Sequence, residues 1–453
     1  MRHLKIGISG VRGIVGETFT PELAVAFAQA FGTYMDSGHI LICRDTRPSG
    51  PMVRAAVCAG LLAAGCKVID LGICPTPSLQ LAVPWLGAQG GISITAGHNP
   101  SQWNALKFVQ ADGLYLTAPQ AEELLDLFHQ AELSKADWRK ISTRIETAEA
   151  MPHHIECLKA AFDSEAIQSR RLRVAVDCCN GACSLLSPRW LETLGCRVLA
   201  VNDDTTTAFP HSPEPNPQTM ATLRAVVKAG NADIGFAHDA DGERLGVVTQ
   251  RGESLSEELT LALAAAIRLQ SKPGTVVTNV STTMAIDTIA RQRGGQVVRT
   301  PVGQTYISEA MIEHRAVLGG EGSGGVVVPE VQQTHDSAAA IGLILEFLAV
   351  SQMSISALVE QLPHYALFKH NVPVAPHRIY SVLQRLHDEI ETEPGVELDL
   401  TDGLKLSWSD SWVHIRVSNT ESMIRIIVEA ETAPRARDLL SWSRDRLALA
   451  GGG

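Results

Sequence analysis

Three stretches of the chain follow one plan: a short β-branched apolar run, a polar or glycine-bearing loop, a longer run of helical character, and a Gly-X-X-Val step into a second apolar run. They are HILICRDTRPSG leading to GCKVIDLG, LRVAVDCCNGACS leading to GCRVLAVN, and GTVVTNVSTTMA leading to GGQVVRTPVG. Short β-branched runs alternating with helices predict βαβ units, and a glycine ending each helix lets the chain turn back into a parallel strand. Repetition of the unit predicts three similar α/β domains rather than one large open sheet, since further strand-like runs recur between the copies.

Polar stretches separate these units. Residues 130–155 are polar with helical rather than strand character, and residues 362–376 are punctuated by proline; both read as linkers. Beyond the second, a helical run IYSVLQRLHDEI precedes the strand-like GLKLSW, WVHIRVS and MIRIIVEA and a closing helix, which predicts a smaller α+β domain with an antiparallel sheet. The expected fold is thus three similar α/β domains with mixed sheets plus a smaller C-terminal α+β domain around a central cleft. The expected divisions are 1–145, 146–252, 253–368 and 369–453. Loops of four domains facing one cleft would share a ligand.

Size and composition agree with several cores. A chain of 453 residues exceeds what one core supports, and 45% hydrophobic with 19% charged residues is ordinary for a soluble globular protein. A formal charge of −11 repels nucleic acid and anionic membrane, so an anionic substrate must be held by a local cluster of Arg, Lys and backbone N–H groups. The nine cysteines lack paired CxxC spacing, and the one tight group, Cys178, Cys179 and Cys183, reads as reduced core thiols rather than a zinc site. With no signal-like apolar run at the start and no stretch of about 18 uninterrupted apolar residues, the expectation is a cytoplasmic protein.

Four segments concentrate chemistry. In HDADGERLG, Asp239, Asp241 and Glu243 alternate with small residues, so a tight loop can turn three carboxylates toward one hard cation, with Mg²⁺ favoured by oxygen-only ligands; Arg244 is left for an anionic group. In GGISITAGHNPSQWNALKF, a buried-looking strand ends at Gly97 and His98, with Lys107 a short reach beyond. These suit an acid or base and a phosphate ligand. In SNTESMIRI, Ser418, Asn419, Thr420 and Arg425, preceded by Arg416, offer hydroxyl, amide and guanidinium donors that match phosphate oxygens. In GGEGSGGVVVPE, five glycines around Glu321 and Ser323 let backbone approach a ligand whose hydroxyls a carboxylate and a hydroxyl would bind. Arg12, in GISGVRGIVG, adds a further candidate ligand, whereas Asp45 with Arg44 or Arg47 reads as a brace. Each segment alone also fits a bland turn or surface loop.

Together, in this order and over nearly the whole chain, the four segments resemble the α-D-phosphohexomutases. The resemblance implies a heart-shaped, four-domain enzyme that moves one phosphoryl group between O6 and O1 of a hexose phosphate. It further implies that Asp239, Asp241 and Glu243 hold Mg²⁺, that Arg244 and Lys107 contact the transferring group, and that His98 shuttles protons. Glu321 and Ser323 would then contact sugar hydroxyls, and Arg416, Ser418, Asn419, Thr420 and Arg425 the non-reacting phosphate. A hexose 1,6-bisphosphate is the implied activator and a small sugar phosphate the implied partner. The forms GEGSGG, SNTE and QWNALK resemble the branch rich in phosphoglucosamine and phosphomannomutases, so glucosamine 6-phosphate is the expected substrate, with mannose or glucose 6-phosphate as alternatives.

Two positions depart from the family pattern. The first loop usually reads T-A-S-H-N-P, with the serine carrying phosphate, and here that position is Gly97; Glu243 stands where a third aspartate is usual. Glycine cannot carry phosphate. Four accounts follow: a neighbouring hydroxyl (Ser93, Thr95 or Ser101) takes over; a bisphosphate donates directly or His98 is phosphorylated; water accepts the phosphate; or the chain binds sugar phosphates without catalysis.

Overall fold

The computed structural model describes residues 5–7, 10–130, 132–142, 144–390, 395–417 and 423–451. Four sheets organise them. Each repeated segment forms the parallel strand pair that its pattern predicts: His39–Arg44 with Lys67–Ile73, Arg173–Asp177 with Arg197–Val201, and Thr275–Asn279 with Gln296–Thr300. Antiparallel neighbours complete mixed sheets of seven, four and four strands. The fourth sheet is antiparallel throughout its five strands and packs on the helices Ile379–Ile390 and Ala433–Gly451.

Two linker readings give way to strands. Glu146–Thr147 pairs in parallel with Ile69 and Asp70 and becomes an edge of the first sheet. Ala366–Pro373 forms the edge strand of the fourth sheet against Met423–Ala430. An edge strand has one free side, and a proline at its end costs no ladder hydrogen bond, so proline punctuation was a poor guide there.

The first sheet has an apolar core on each face. The second and third sheets share one core, joined by the helices Glu257–Ser271 and Ser337–Ser351. Ser337–Ser351 is apolar almost all round, as a helix enclosed on every side must be, and Asp336 caps it by accepting the N–H groups of Ala338 and Ala339. All nine cysteines are free, and Cys157 alone is not fully buried. No described helix is long and apolar enough to cross a membrane.

Candidate functional site

The first loop leaves the fully buried strand Gly90–Ile94 and turns at Gly97, whose φ of +55° favours glycine. Its shape is fixed from below. Arg47, with no exposed surface, donates to the carbonyls of Gly97 at 2.7 Å, Asn99 at 2.8 Å, Pro100 at 2.7 Å and Trp103 at 3.0 Å. Asp45 accepts from Arg47 Nε at 2.8 Å and from Thr95 Oγ1 at 2.7 Å. Asp45 therefore braces the loop with Arg47, one of the two arginines the sequence offered for that role.

The acidic loop follows the buried strand Ile234–His238 and is pinned from two other domains. The N–H of Thr76 donates to the carbonyl of Asp241 at 2.9 Å, and Ser337 donates to the carbonyl of Gly242 through its N–H at 3.1 Å and its hydroxyl at 2.6 Å. Thr76 Oγ1 also reaches Asp241 Oδ2 at 3.0 Å. Within the loop, Asp239 Oδ1 accepts the N–H groups of Glu243 at 3.0 Å and Arg244 at 3.1 Å.

Lys107 lies between the first loop and the acidic loop. Its Nζ stands 2.6 Å from Asp241 Oδ2 and 2.6 Å from Glu243 Oε2. Burial works against the ammonium, yet the two carboxylates outweigh it and raise the lysine pKa. Tyr115 donates to the other oxygen of Glu243, and Gln304, with its amide oriented to satisfy both neighbours, adds a bond to the same oxygen at 3.1 Å. Burial, then the charge of Asp241, pushes the Asp239 carboxyl well above the usual range. Asp241 is itself held low: burial opposes its charge, but Lys107 prevails.

Does this loop fit the divalent ion that the resemblance implies? Asp241 Oδ1 is buried without a hydrogen-bond partner, and it lies beside a second buried carboxylate; both features suit a hard dication. Glu243 is engaged by Lys107, Tyr115 and Gln304 and joins a metal shell only by exchanging them. Among the described residues no three His, Cys, Asp or Glu are gathered at metal-ligand spacing. The residues therefore fit through Asp239 and Asp241, with Glu243 as an exchangeable third.

Cations converge on His98. Burial, then the charges of Arg244, Arg12, Lys107 and Arg47, hold its imidazole well below its ordinary value, so it is neutral at neutral pH. Arg12 donates to Asn99 Oδ1 at 3.1 Å. Arg47 is paired with Asp45, Lys107 with Asp241 and Glu243, and Arg244 with Glu214 at 3.4 Å, so an anion here would bind by sharing these cations with their carboxylates.

A cleft of about 550 Å³ is lined by Arg12, Lys107, Glu243 and Arg416 together, with Gly303 and Gln304 between them in the chain. Arg416, 5% exposed, pairs with Asp402 at 3.1 Å and lies directly across the sheet from Arg425. Ser418, Asn419 and Thr420 lie outside the described residues. Glu321 and Ser323 do not line the cleft themselves; Glu321 Oε1 accepts from Asn279 Nδ2 at 2.8 Å and from the N–H of Gly303, which does line it, at 3.1 Å, while Ser323 Oγ is buried without a partner. The loop carrying Glu321 and Ser323 is tied to the acidic loop, since Leu245 N donates to Gly324 O at 3.0 Å. Sequence reading missed Thr76, Tyr115, Gln304 and Ser337. None lies in a recognisable motif, and each reaches the site from far along the chain.

Comparison with known proteins places this arrangement. Models of the phosphoglucomutase/phosphomannomutase α/β/α domains I, II and III match residues 3–135, 152–252 and 256–365. A phosphoglucomutase/phosphomannomutase of Thermococcus kodakarensis is 37% identical over 96% of each chain. A probable phosphoglucosamine mutase of Methanopyrus kandleri is 35% identical over 96% of this chain and 95% of its own. Among solved structures, a phosphoglucomutase/phosphomannomutase family protein from Burkholderia thailandensis superposes with a TM-score of 0.85 at 27% identity, covering 99% of this chain and 98% of the other. The chain belongs to the phosphoglucomutase/phosphomannomutase family, with its four-domain α/β fold. Members of that family are isomerases that relocate phosphate on a hexose.

Proposed function

We propose that the protein interconverts hexose 6-phosphate and hexose 1-phosphate without storing phosphate on residue 97. The observation that supports this is that a side chain at Gly97 would stand beside Asp241 and Lys107, next to His98: the groups that would hold a transferring phosphoryl group remain, and the storing side chain is absent. In this reading a hexose 1,6-bisphosphate supplies the group. The O6–P bond of the bisphosphate breaks as a P–O bond to O1 of a hexose 6-phosphate forms. The donor leaves as the 1-phosphate and the acceptor becomes the bisphosphate, so the donor is regenerated.

Neutral His98 takes the proton of the attacking hydroxyl and returns it to the leaving oxygen. Lys107, Arg12 and Arg244 stabilise charge on the moving group. A divalent ion held by Asp239, Asp241 and Glu243 would neutralise further charge there when bound. Arg416 and Arg425, directly opposite each other across the sheet, bind the non-reacting phosphate, which orients the sugar. Glu321 and Ser323 address its hydroxyls. Glucosamine 6-phosphate is the substrate we favour, supported by the name of the Methanopyrus kandleri relative.

Phosphorus NMR of the protein with Mg²⁺ and glucosamine, glucose or mannose 6-phosphate, with and without a catalytic trace of the matching 1,6-bisphosphate, tests this. A 1-phosphate formed only with the bisphosphate is the expected result. Turnover without it transfers the carrier role to His98 or a nearby hydroxyl, free phosphate alone makes the protein a phosphatase, and binding without turnover makes it a sugar-phosphate sensor.

A further inference from the structure

One histidine behind the sugar loop has no part in the chemistry above. His335 immediately precedes Asp336, the cap of the helix Ser337–Ser351, and is 4% exposed. Its N–H donates to the side-chain oxygen of Gln304 at 2.7 Å, and Gln304 lines the cleft. Its ring packs on the backbone of Gly325, where a Cβ would stand 2.6 Å from Cε1 and 2.6 Å from Nδ1. The imidazole is therefore housed at the sugar loop only because residue 325 has no side chain.

The charged groups that bear on this ring are Glu321, Glu243, Arg244 and Lys107, all members of the site already described. Burial nevertheless keeps the imidazole below its ordinary pKa against the pull of the two carboxylates, so Nε2 meets a ligand as one half of a neutral ring. That Nε2 has no hydrogen-bond partner, and neither has Ser323 Oγ on the sugar loop. Buried polar atoms left unsatisfied are costly unless a ligand completes them. Elsewhere in the fold, buried histidines are satisfied on both nitrogens: His154 by Ser78 and Asp336, and His238 by Ser187 and Ser337.

We propose that His335 is a sugar-contacting residue whose Nε2 hydrogen-bonds a ring hydroxyl of the bound hexose phosphate, alongside Glu321 and Ser323. This rests on the reading of the cleft as a sugar-phosphate site. It makes His335 a determinant of which hexose is accepted, because a hydroxyl turned to the other face of the ring leaves Nε2 unpaired again.

The test is calorimetric binding of glucose 6-phosphate and its 2-deoxy, 3-deoxy and 4-deoxy analogues to wild type, His335→Ala and His335→Gln, with a melting curve for each variant. His335→Ala should weaken glucose 6-phosphate by roughly ten-fold, and His335→Gln, whose amide replaces Nε2, should keep most of the affinity. For one deoxy analogue the alanine effect should vanish, identifying the hydroxyl. Equal weakening of every analogue, or unchanged affinity with only a shifted melting temperature, overturns the contact and leaves His335 a packing residue. Wild type that binds none of these sugars overturns the cleft reading itself.

Discussion

A Cβ atom built on Gly97 stands 3.5 Å from Asp241 Oδ1, in ordinary van der Waals contact, and 3.8 Å from Lys107 Nζ. The family's serine would therefore fit in space, opposed only by the left-handed backbone, at a cost of about 1 kcal/mol. Gly97→Ser should fold with a slightly lower melting temperature. Treated with a hexose 1,6-bisphosphate, it should gain one phosphoryl group by intact mass and lose its dependence on added bisphosphate. A variant that folds but is never phosphorylated would show that the seat no longer accepts a transferring group.

Asp241 carries the unpartnered oxygen of the acidic loop, so Asp241→Asn should weaken Mg²⁺ binding by at least about ten-fold in calorimetry. Saturating Mg²⁺ should also raise the melting temperature of wild type, since a ligand at about 100 times its Kd adds about 2.7 kcal/mol of stability. Equal Mg²⁺ affinity in both proteins would remove the loop from the metal site.

Thr76 ties the first domain to this loop. Its hydroxyl meets Asp241 Oδ2 at 3.0 Å and Ser93 Oγ at 2.8 Å, all three residues being buried. Thr76→Val keeps the shape and the backbone bond while removing that hydroxyl, so a loss of about 1–3 kcal/mol in stability is expected, with a weaker Mg²⁺ affinity. Unchanged Mg²⁺ affinity would mean that Asp241 is positioned by its backbone alone.

His414 couples the third and fourth domains to pH. Its Nδ1 meets Ser281 Oγ at 2.8 Å and its Nε2 the Asp402 carbonyl at 2.5 Å, and burial lowers its pKa from 6.5 to about 4. Because folding favours the neutral ring, this contribution is complete above about pH 6.5 and is lost as pH falls from there through about 4, on the order of 3 kcal/mol. Hydrogen-exchange protection of the strand Ser411–Val417 should therefore fall between about pH 7 and about pH 4. His414→Gln should flatten that dependence; an equal slope in the variant would assign the effect to other groups.

The residues that could be read in the sequence are those whose neighbours in space are also neighbours in the chain. The βαβ repeats were legible because a glycine closes each helix before a β-branched run, and the acids of HDADGER because alternation places them on one loop. Their division of labour was not legible. Asp239 spends one oxygen on N–H groups of its own turn, and Glu243 is held by Tyr115, from the turn after the strand Trp103–Gln110, and by Gln304, at the start of a helix of another domain. His335 escaped notice for the same reason, since its place depends on a missing side chain at Gly325 ten positions earlier.

Glycine at position 97 also gives the protein no memory. A side chain that stores phosphate records whether the last catalytic cycle ended properly, and a fresh preparation inherits that record as a mixture of primed and spent molecules. Residue 97 can hold no such record, so every copy emerging from the ribosome is chemically identical there to one that has met its ligand many times.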